Sequence, residues 1–460
     1  MGAVPAAAAD LGIATLELSE LIASLSHALD LTEGQPKGHC VRCCWIGMHI
    51  GREIGLGARA QWELYYTLLL KDLGCSSNAA RICELYMTDD LAFKRGFKTV
   101  GESLPSVLRF VFTHTGANAG LRKRLTALAD ILRHGPAYSQ ELIQTRCQRG
   151  ADIARQLRFP EPVADGIHSL DEHWNGRGRP QGLCGEAIPL AARIALLAQV
   201  VDVLRTAEGP PAAMAEARAR AGGWFDPALV AALERVAQAP GFWQALDSPT
   251  LDQQVHALEP GEHRVPLDED YLDDIAAAFG QVVDSKSPFT SGHSERVADY
   301  AQAVAAQLGM APARRRWLRR AALLHDVGKL GVSNAVLDKP GQLDAAEWDA
   351  VRDHARFTEE ILSRIGEFGE LARVAAAHHE RLDGGGYPRR LSGDQICLET
   401  RIITVADIFD AISAERPYRG ATPVARTLEI MAASVGTAID PLCFEALCQV
   451  VARESGAASG

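Results

Sequence analysis

The chain has 460 residues, of which 47% are hydrophobic and 23% charged, and its formal net charge is −11. That length accommodates two or three domains with well-filled cores. The acidic balance excludes broad electrostatic binding of DNA or RNA, which needs a basic footprint, and leaves open a small anionic substrate held by a few local cations.

The N-terminal stretch MGAVPAAAADLGIATLELSELI has no basic region ahead of its small apolar residues, so it does not read as a signal peptide. No apolar run reaches the roughly 18 residues that span a bilayer, so a cytoplasmic protein without membrane insertion is expected. Ten cysteines at irregular spacing fit reduced thiols. The densest group, His39-Cys40-Val41-Arg42-Cys43-Cys44, lies in a helical pattern and reads as small buried side chains. A closed zinc site takes four ligands in separated pairs, and no second cluster of that kind is evident.

The next predicted helix ends in LLLKDLGC (68–75), and ALLHDVGK (322–329) repeats that ending later in the chain. An offset of 254 carries GHCVRC (38–43) onto GHSERV (292–297), Gly55 onto Gly309 and Asp72 onto Asp326 without a gap. Cys43, Ile46, Ile50 and Ile54 fall on Val297, Tyr300, Val304 and Leu308, the spacing of one helix face. A second block aligns at an offset of 208, which places HWNGRGRPQGL (173–183) on RLDGGGYPRRL (381–391) and RIALLAQVVDV (193–203) on RIITVADIFDA (401–411). The first copy therefore carries about 46 extra residues, placed between positions 72 and 146. WFDPAL (224–229) and AIDPLC (438–443) close the two copies. Helical periodicity dominates both, so an all-α chain of two tandem helical bundles is expected. The predicted parts are a first bundle over 1–256, a polar proline-containing linker over 257–270, a second bundle over 271–452 and a disordered tail over 453–460.

The second copy concentrates His and Asp: His325-Asp326, His354, His378-His379 and Asp407. Imidazole and carboxylate ligate divalent first-row metals. Six such ligands exceed one tetrahedral ion and suffice for two, with Asp326 as a candidate bridge; metals ~4 Å apart suit in-line displacement at phosphorus. Lys329 is placed to meet a phosphate oxygen, and the guanidinium forks of Arg416 and Arg419 in ERPYRG suit phosphate too. The three glycines of DGGGYP (383–388) allow close backbone approach, and Tyr387 is a candidate for stacking on a base or bonding a phosphate. His293 is an additional candidate ligand. Its counterpart His39 persists in a copy without the other ligands, which favours a structural share for this position.

These residues resemble the HD-GYP family, a subgroup of the HD-domain metal-dependent phosphohydrolases, over roughly residues 275–450. The resemblance rests on HDVGK (325–329), HHERLDGGGYP (378–388) and VADIFDAISAERPYR (405–419). It implies a second bundle of the HD-GYP type that holds iron or manganese. It also implies hydrolysis of the bacterial second messenger cyclic di-GMP to linear pGpG or GMP through a metal-bound hydroxide. Carried over by position, His325, Asp326, His354, His378, His379 and Asp407 are the metal ligands, Asp326 and Lys329 the catalytic pair, and Lys329, Tyr387, Arg416 and Arg419 the substrate contacts. Trinuclear members use a Glu where this chain has Phe289, so two metals are expected.

Against that template the first copy is a degenerate HD-like bundle. His325 becomes Lys71, His354 becomes Arg146, His378-His379 becomes Leu170-Asp171, Asp407 becomes Gln199, Lys329 becomes Cys75 and Tyr387 becomes Arg179. Lys71 and Arg146 are expected to replace the metal charge by pairing with Asp72 and Asp171, because an unpaired buried carboxylate is costly. This copy is expected to pack against the second as a structural partner, to bind a nucleotide or regulator in a degenerate pocket, or to form a homodimer or signalling-protein contact, with an interaction or regulatory role favoured. The alternatives to the leading function are phosphohydrolysis of another cyclic dinucleotide or nucleotide, and a low-turnover nucleotide-binding scaffold.

Overall fold

A computed structural model describes residues 16–98, 100, 104–116, 120–261, 265–414 and 420–457, with side chains up to 454. The described residues are helical, and their only β pairings are isolated bridges. No described helix is long and apolar enough to cross a membrane. The repeat seen in the sequence is visible helix by helix. In the first half α1 (Leu18–Thr32) leads into α2 (His39–Glu53) and α3 (Ala58–Leu70). The short α4 (Asp90–Phe97) and the long α5 (Leu121–Gln156) follow, then α6 (Glu161–His168) and α7 (Leu190–Glu208). The second half has α8 (Glu269–Asp284), α9 (His293–Gln307) and α10 (Pro312–Leu324). It continues with α11 (Ala345–Leu362), α12 (Gly369–Ala376), α13 (Leu398–Ser413) and α14 (Pro441–Ala457).

The bounds of α2 and α3 reappear in α9 and α10 at the offset of 254, and those of α6 in α12 at 208. Even the loop bridges correspond, Asn175 with Cys184 and Asp383 with Ser392. The extra residues of the first half are the helices that include α4 and the N-terminal part of α5.

Local sequence explains the helices that carry the site. Asp344 and Glu347 close a reciprocal capping box on α11, which satisfies two otherwise unpaired backbone N–H groups. His354, Thr358, Ile361 and Leu362 then lie on its one buried face. In α10, Trp317, Leu318, Ala321 and Leu324 face the core. Each buried leucine contributes about 1.5–3 kcal/mol by leaving water. Arg314 stacks 3.8 Å from the Trp317 ring centroid and donates to Glu399 at 2.8 Å, which ties α10 to α13.

Two expectations need correction. The stretch 257–270 is not a free linker: Leu258 is buried, Glu259 accepts the Tyr66 hydroxyl at 2.5 Å, and α8 begins at Glu269. Leu258 and Leu267, two apolar residues inside a polar run, dock it against the core. One contiguous set of buried apolar side chains runs from Leu16 to Val451, so the halves share a core. The tail also differs, since α14 continues to Ala457 and Arg453 donates to Gln307 at 2.6 Å. Extending a formed helix costs far less than nucleating one, so a weakly helical ending follows the turn before it.

A candidate metal centre

The His-Asp cluster is assembled from helix ends. His325 and Asp326 follow α10, His354 comes from α11, His378 and His379 follow α12, Asp407 lies on α13, and His293 opens α9. Two close approaches hold these ends together. A Cβ at Gly328 would stand 2.0 Å from the His354 carbonyl oxygen, so only glycine lets the turn after Asp326 lie against α11. Thr358 reinforces that contact by donating to the His325 carbonyl at 3.1 Å and accepting from the Gly328 N–H at 3.0 Å. In the Gly-Tyr-Pro loop a Cβ at Gly386 would lie 2.5 Å from the His379 carbonyl oxygen. The buried Glu380 carboxylate accepts the Arg389 and Leu391 N–H groups at 2.7 and 2.8 Å and wraps the loop around itself.

The imidazoles are oriented by their outer nitrogens. Nδ1 of His325, His354 and His378 lies 2.6, 2.5 and 2.7 Å from the carbonyls of Ala322, Val351 and Ala375. A carbonyl only accepts, so each Nδ1 carries the proton and each Nε2 presents a lone pair. These lone pairs converge on Asp326. Its Oδ1 lies 3.5 Å from His354 Nε2 and 3.6 Å from His378 Nε2. Its Oδ2 lies 3.3 Å from His325 Nε2 and 3.6 Å from His293 Nε2. Asp407 Oδ1 closes the second side, 3.4 Å from His293 Nε2 and 3.9 Å from His325 Nε2. The donors thus fall into two lobes, His354-His378-His379 and His293-His325-Asp407, with one oxygen of Asp326 turned to each.

The donors fit divalent cations. His325 Nε2 and Asp326 Oδ1 are buried without a hydrogen-bond partner, a costly arrangement that a cation in each lobe would relieve. Burial pushes His354 down to about 4 against the raising charge of Asp326, and burial with the neighbouring His354 pushes His379 down to about 3 against Asp407 and Asp326. Burial opposes ionisation of Asp326 and Asp407, but the surrounding imidazoles, with Lys329 for Asp326 and hydrogen bonding from His293 for Asp407, hold both well below the usual carboxylate range. Neutral imidazoles and ionised carboxylates are the ligating forms. Burial opposes the charge of His293, but Asp326, Asp407 and Asp410 raise it well above the ordinary imidazole value, so a binding cation must displace the Nε2 proton of this ring.

Lys329 pairs with Asp326 and its side chain is partly open to solvent. The Tyr387 ring lies 4.8 Å from the His379 ring, and Arg352 stands over its face at 5.9 Å, with the exposed Trp348 beyond at 5.8 Å. Phe289 offers no ligand atom. Arg416 and Arg419 lie outside the described residues.

His293 does more than its sequence reading assigned. Its Nδ1 meets Asp410 at 2.7 Å, and Arg296 donates to the same carboxylate at 2.6 Å, which aims Nε2 into the cluster. The first half keeps this support unchanged: His39 meets Asp202 at 2.7 Å and Arg42 donates to Asp202 at 2.8 Å. Asp410, Arg296, Glu380 and Arg352 were not singled out in the sequence. The repeat carried a signal for the first three, since each is identical to its counterpart at the respective offset (Asp202, Arg42 and Glu172), whereas Arg352 falls on Gln144.

In the first half ion pairs stand at four of the positions that match the candidate ligands, and Leu170 and Gln199 stand at two others. Lys71 pairs with Asp72, and Arg146 with Asp171. Lys98 reaches Glu33 at 2.5 Å and Gln199 at 3.5 Å. His39, Cys43 and Asp202 cluster closely, but Arg42 occupies Asp202 and the Lys71 ammonium depresses His39 further after burial itself.

A family model described as an HD domain matches residues 126–229 and 278–442. The chain is 59% identical over 433 residues to the 3'3'-cGAMP-specific phosphodiesterase 3 of Vibrio cholerae, covering 94% of each. It is 40% identical over 173 residues to a cyclic di-GMP phosphodiesterase response regulator of Xanthomonas campestris, covering 37% of this chain and 45% of that one. A crystal structure of a cyclic GMP-AMP specific phosphodiesterase from V. cholerae superposes with a TM-score of 0.66 at 53% identity, covering 95% of this chain and 98% of that one.

Proposed function

The chain belongs to the HD-domain family and is of its HD-GYP type, and from that membership we propose that this phosphodiesterase hydrolyses 3'3'-cGAMP in preference to cyclic di-GMP. The preference is supported by the full-length similarity to the cGAMP-specific protein, against a match confined to 37% of this chain for the Xanthomonas enzyme. The reaction reading rests on one observation above all: the two oxygens of Asp326 face separate groups of imidazoles. His293, His325 and Asp407 would hold one divalent ion, His354, His378 and His379 a second, and Asp326 both. Iron or manganese in these positions supplies Lewis acidity at the phosphoryl oxygens and stabilises charge on the attacking and leaving oxygens of an in-line displacement.

The chain's own residues do the rest. Lys329 leaves Asp326 for a non-bridging phosphate oxygen and offsets the negative charge that grows there. Tyr387 lies beside His379, and burial pushes its phenol up, so it stays a hydrogen-bond donor at neutral pH. Glu380 and Gly386 keep that ring in place through the loop. Water adds across one P–O bond, giving a linear dinucleotide with a terminal phosphate.

The test is hydrolysis of 3'3'-cGAMP and cyclic di-GMP by protein loaded anaerobically with iron or manganese, beside Asp326→Ala. Turnover of 3'3'-cGAMP that vanishes in the variant is expected. Equal or faster turnover of cyclic di-GMP would reverse the substrate assignment, and no turnover of either at full metal occupancy would refute the phosphodiesterase reading.

A further inference from the structure

The first half reaches into the second at a charged and deeply buried point. Asp90, the first residue of α4 in the inserted segment, is 0% exposed. Its Oδ1 accepts the Ser333 hydroxyl at 3.0 Å and the Asn334 N–H at 2.8 Å. Its Oδ2 lies 3.5 Å from Lys286 Nζ, an ammonium only 1% exposed. Lys286 donates in turn to the Leu330 carbonyl at 3.4 Å, and the Asn334 amide donates to the Lys286 carbonyl at 2.7 Å. These groups enclose the downstream end of the turn that begins at Asp326 and carries Lys329. The upstream end is held by Thr358, from within the second half. The downstream end thus depends on a carboxylate that the second half does not supply.

We propose that Asp90 is a positioning residue for the reaction: clamping Ser333-Asn334 and Lys286, it sets where Lys329 stands against Asp326 and the substrate phosphate. The inference rests on the role of Lys329 in the phosphodiesterase reading. A buried carboxylate that accepts two short hydrogen bonds on one oxygen and faces a buried ammonium with the other is a stiff anchor, because losing either hydrogen bond leaves an unsatisfied polar group in the interior. The turn between Asp326 and Ser333 is short, so a shift at Ser333 is carried to Lys329. The other end of α4 is tied down as well. Lys94 donates to the Thr32 and Cys75 carbonyls at 3.1 and 2.7 Å, and Lys98, one residue beyond the helix, enters the degenerate pocket to meet Glu33. The helix therefore spans from the emptied ligand positions of one half to the active turn of the other, which accounts for an insertion present in the first copy alone.

The experiment is a double-mutant cycle in the full-length chain, comparing parent, Asp90→Ala, Lys329→Ala and the combined variant, with metal content and thermal melting measured for each. Asp90→Ala is expected to lower kcat about 10-fold or more at unchanged metal content, in line with the sensitivity of catalysis to small misplacements. The same change made on Lys329→Ala is expected to cost almost nothing further, because the group it positions is gone. A comparable loss in both backgrounds, or an unchanged kcat in Asp90→Ala, would overturn the proposal. If alanine prevents folding, Asp90→Ala/Lys286→Met removes the stranded ammonium and carries the same comparison. A parent without turnover of either cyclic dinucleotide defeats the underlying reading and this role with it, whereas an active parent with independent losses defeats this role alone.

Discussion

Gly328→Ala isolates the contact on which the centre depends. A Cβ at residue 328 would lie 2.0 Å from the His354 carbonyl oxygen and 2.7 Å from the Thr358 N–H nitrogen, where 3.0 Å is the closest that side chains tolerate. The turn and α11 must separate by at least the 1.0 Å difference, because both obstacles are backbone. That movement opens the 3.5 Å gap between Asp326 Oδ1 and His354 Nε2 and takes Lys329 along. Overpacking of this kind costs about 1–3 kcal/mol of stability, and a misplacement of about 1 Å costs about 100-fold in rate. The chain holds its own control, since a Cβ at Gly74 would lie 1.9 Å from the Arg146 carbonyl oxygen in the first half. Steady-state hydrolysis of 3'3'-cGAMP, metal content by mass spectrometry and thermal melts of both variants make the comparison. Both are expected to lose similar stability, with metal and most of the activity lost in Gly328→Ala alone. A folded Gly328→Ala with parental metal content and kcat would refute the reasoning.

Three further outcomes follow from the same geometry. Asp410→Asn withdraws the carboxylate that orients His293 and is expected to weaken metal binding about 10–100-fold, read by competition with a chelator; unchanged affinity would remove His293 from the ligand set. Lys71→Met strands the buried Asp72 and should cost about 3–5 kcal/mol in urea unfolding, whereas Lys71→Met/Asp72→Leu should recover most of it; a neutral single variant would mean that the pair does not replace a metal's charge. Burial opposes ionisation of Glu33, but Lys98 and Lys94 draw it from 4.5 down to about 2. Its contribution to stability is therefore present above about 4.5 and lost as pH falls toward about 2. The stability gap between parent and Glu33→Gln should be widest at neutral pH and shrink across that window, and a gap that stays constant on acidification would contradict the pairing.

Much of this was legible before the fold. The candidate ligands lie in local strings, because a turn that presents His325-Asp326 or His378-His379 is made by neighbouring residues and needs no distant contact to be recognised. The duplication was legible for the same reason: helix ends and loop glycines recur at constant offsets wherever backbone geometry is shared. The first copy's pairs Lys71-Asp72 and Arg146-Asp171 were inferred from charge alone, since a buried carboxylate without a cation is too costly to persist. The extent of α14 and the docking of residues 257–259 were not legible, because composition describes a segment and not the surface it meets.

The sequence by itself determined the helical class, the repeat and the inventory of candidate metal-ligating side chains, which depend on periodicity and residue chemistry. Only the tertiary structure decided that His293 joins the cluster, that Asp326 turns one oxygen to each group of imidazoles, and that Asp90 of the first half reaches Ser333, Asn334 and Lys286 of the second. Those facts are distances between residues remote in the chain, and packing of the shared core is what sets them.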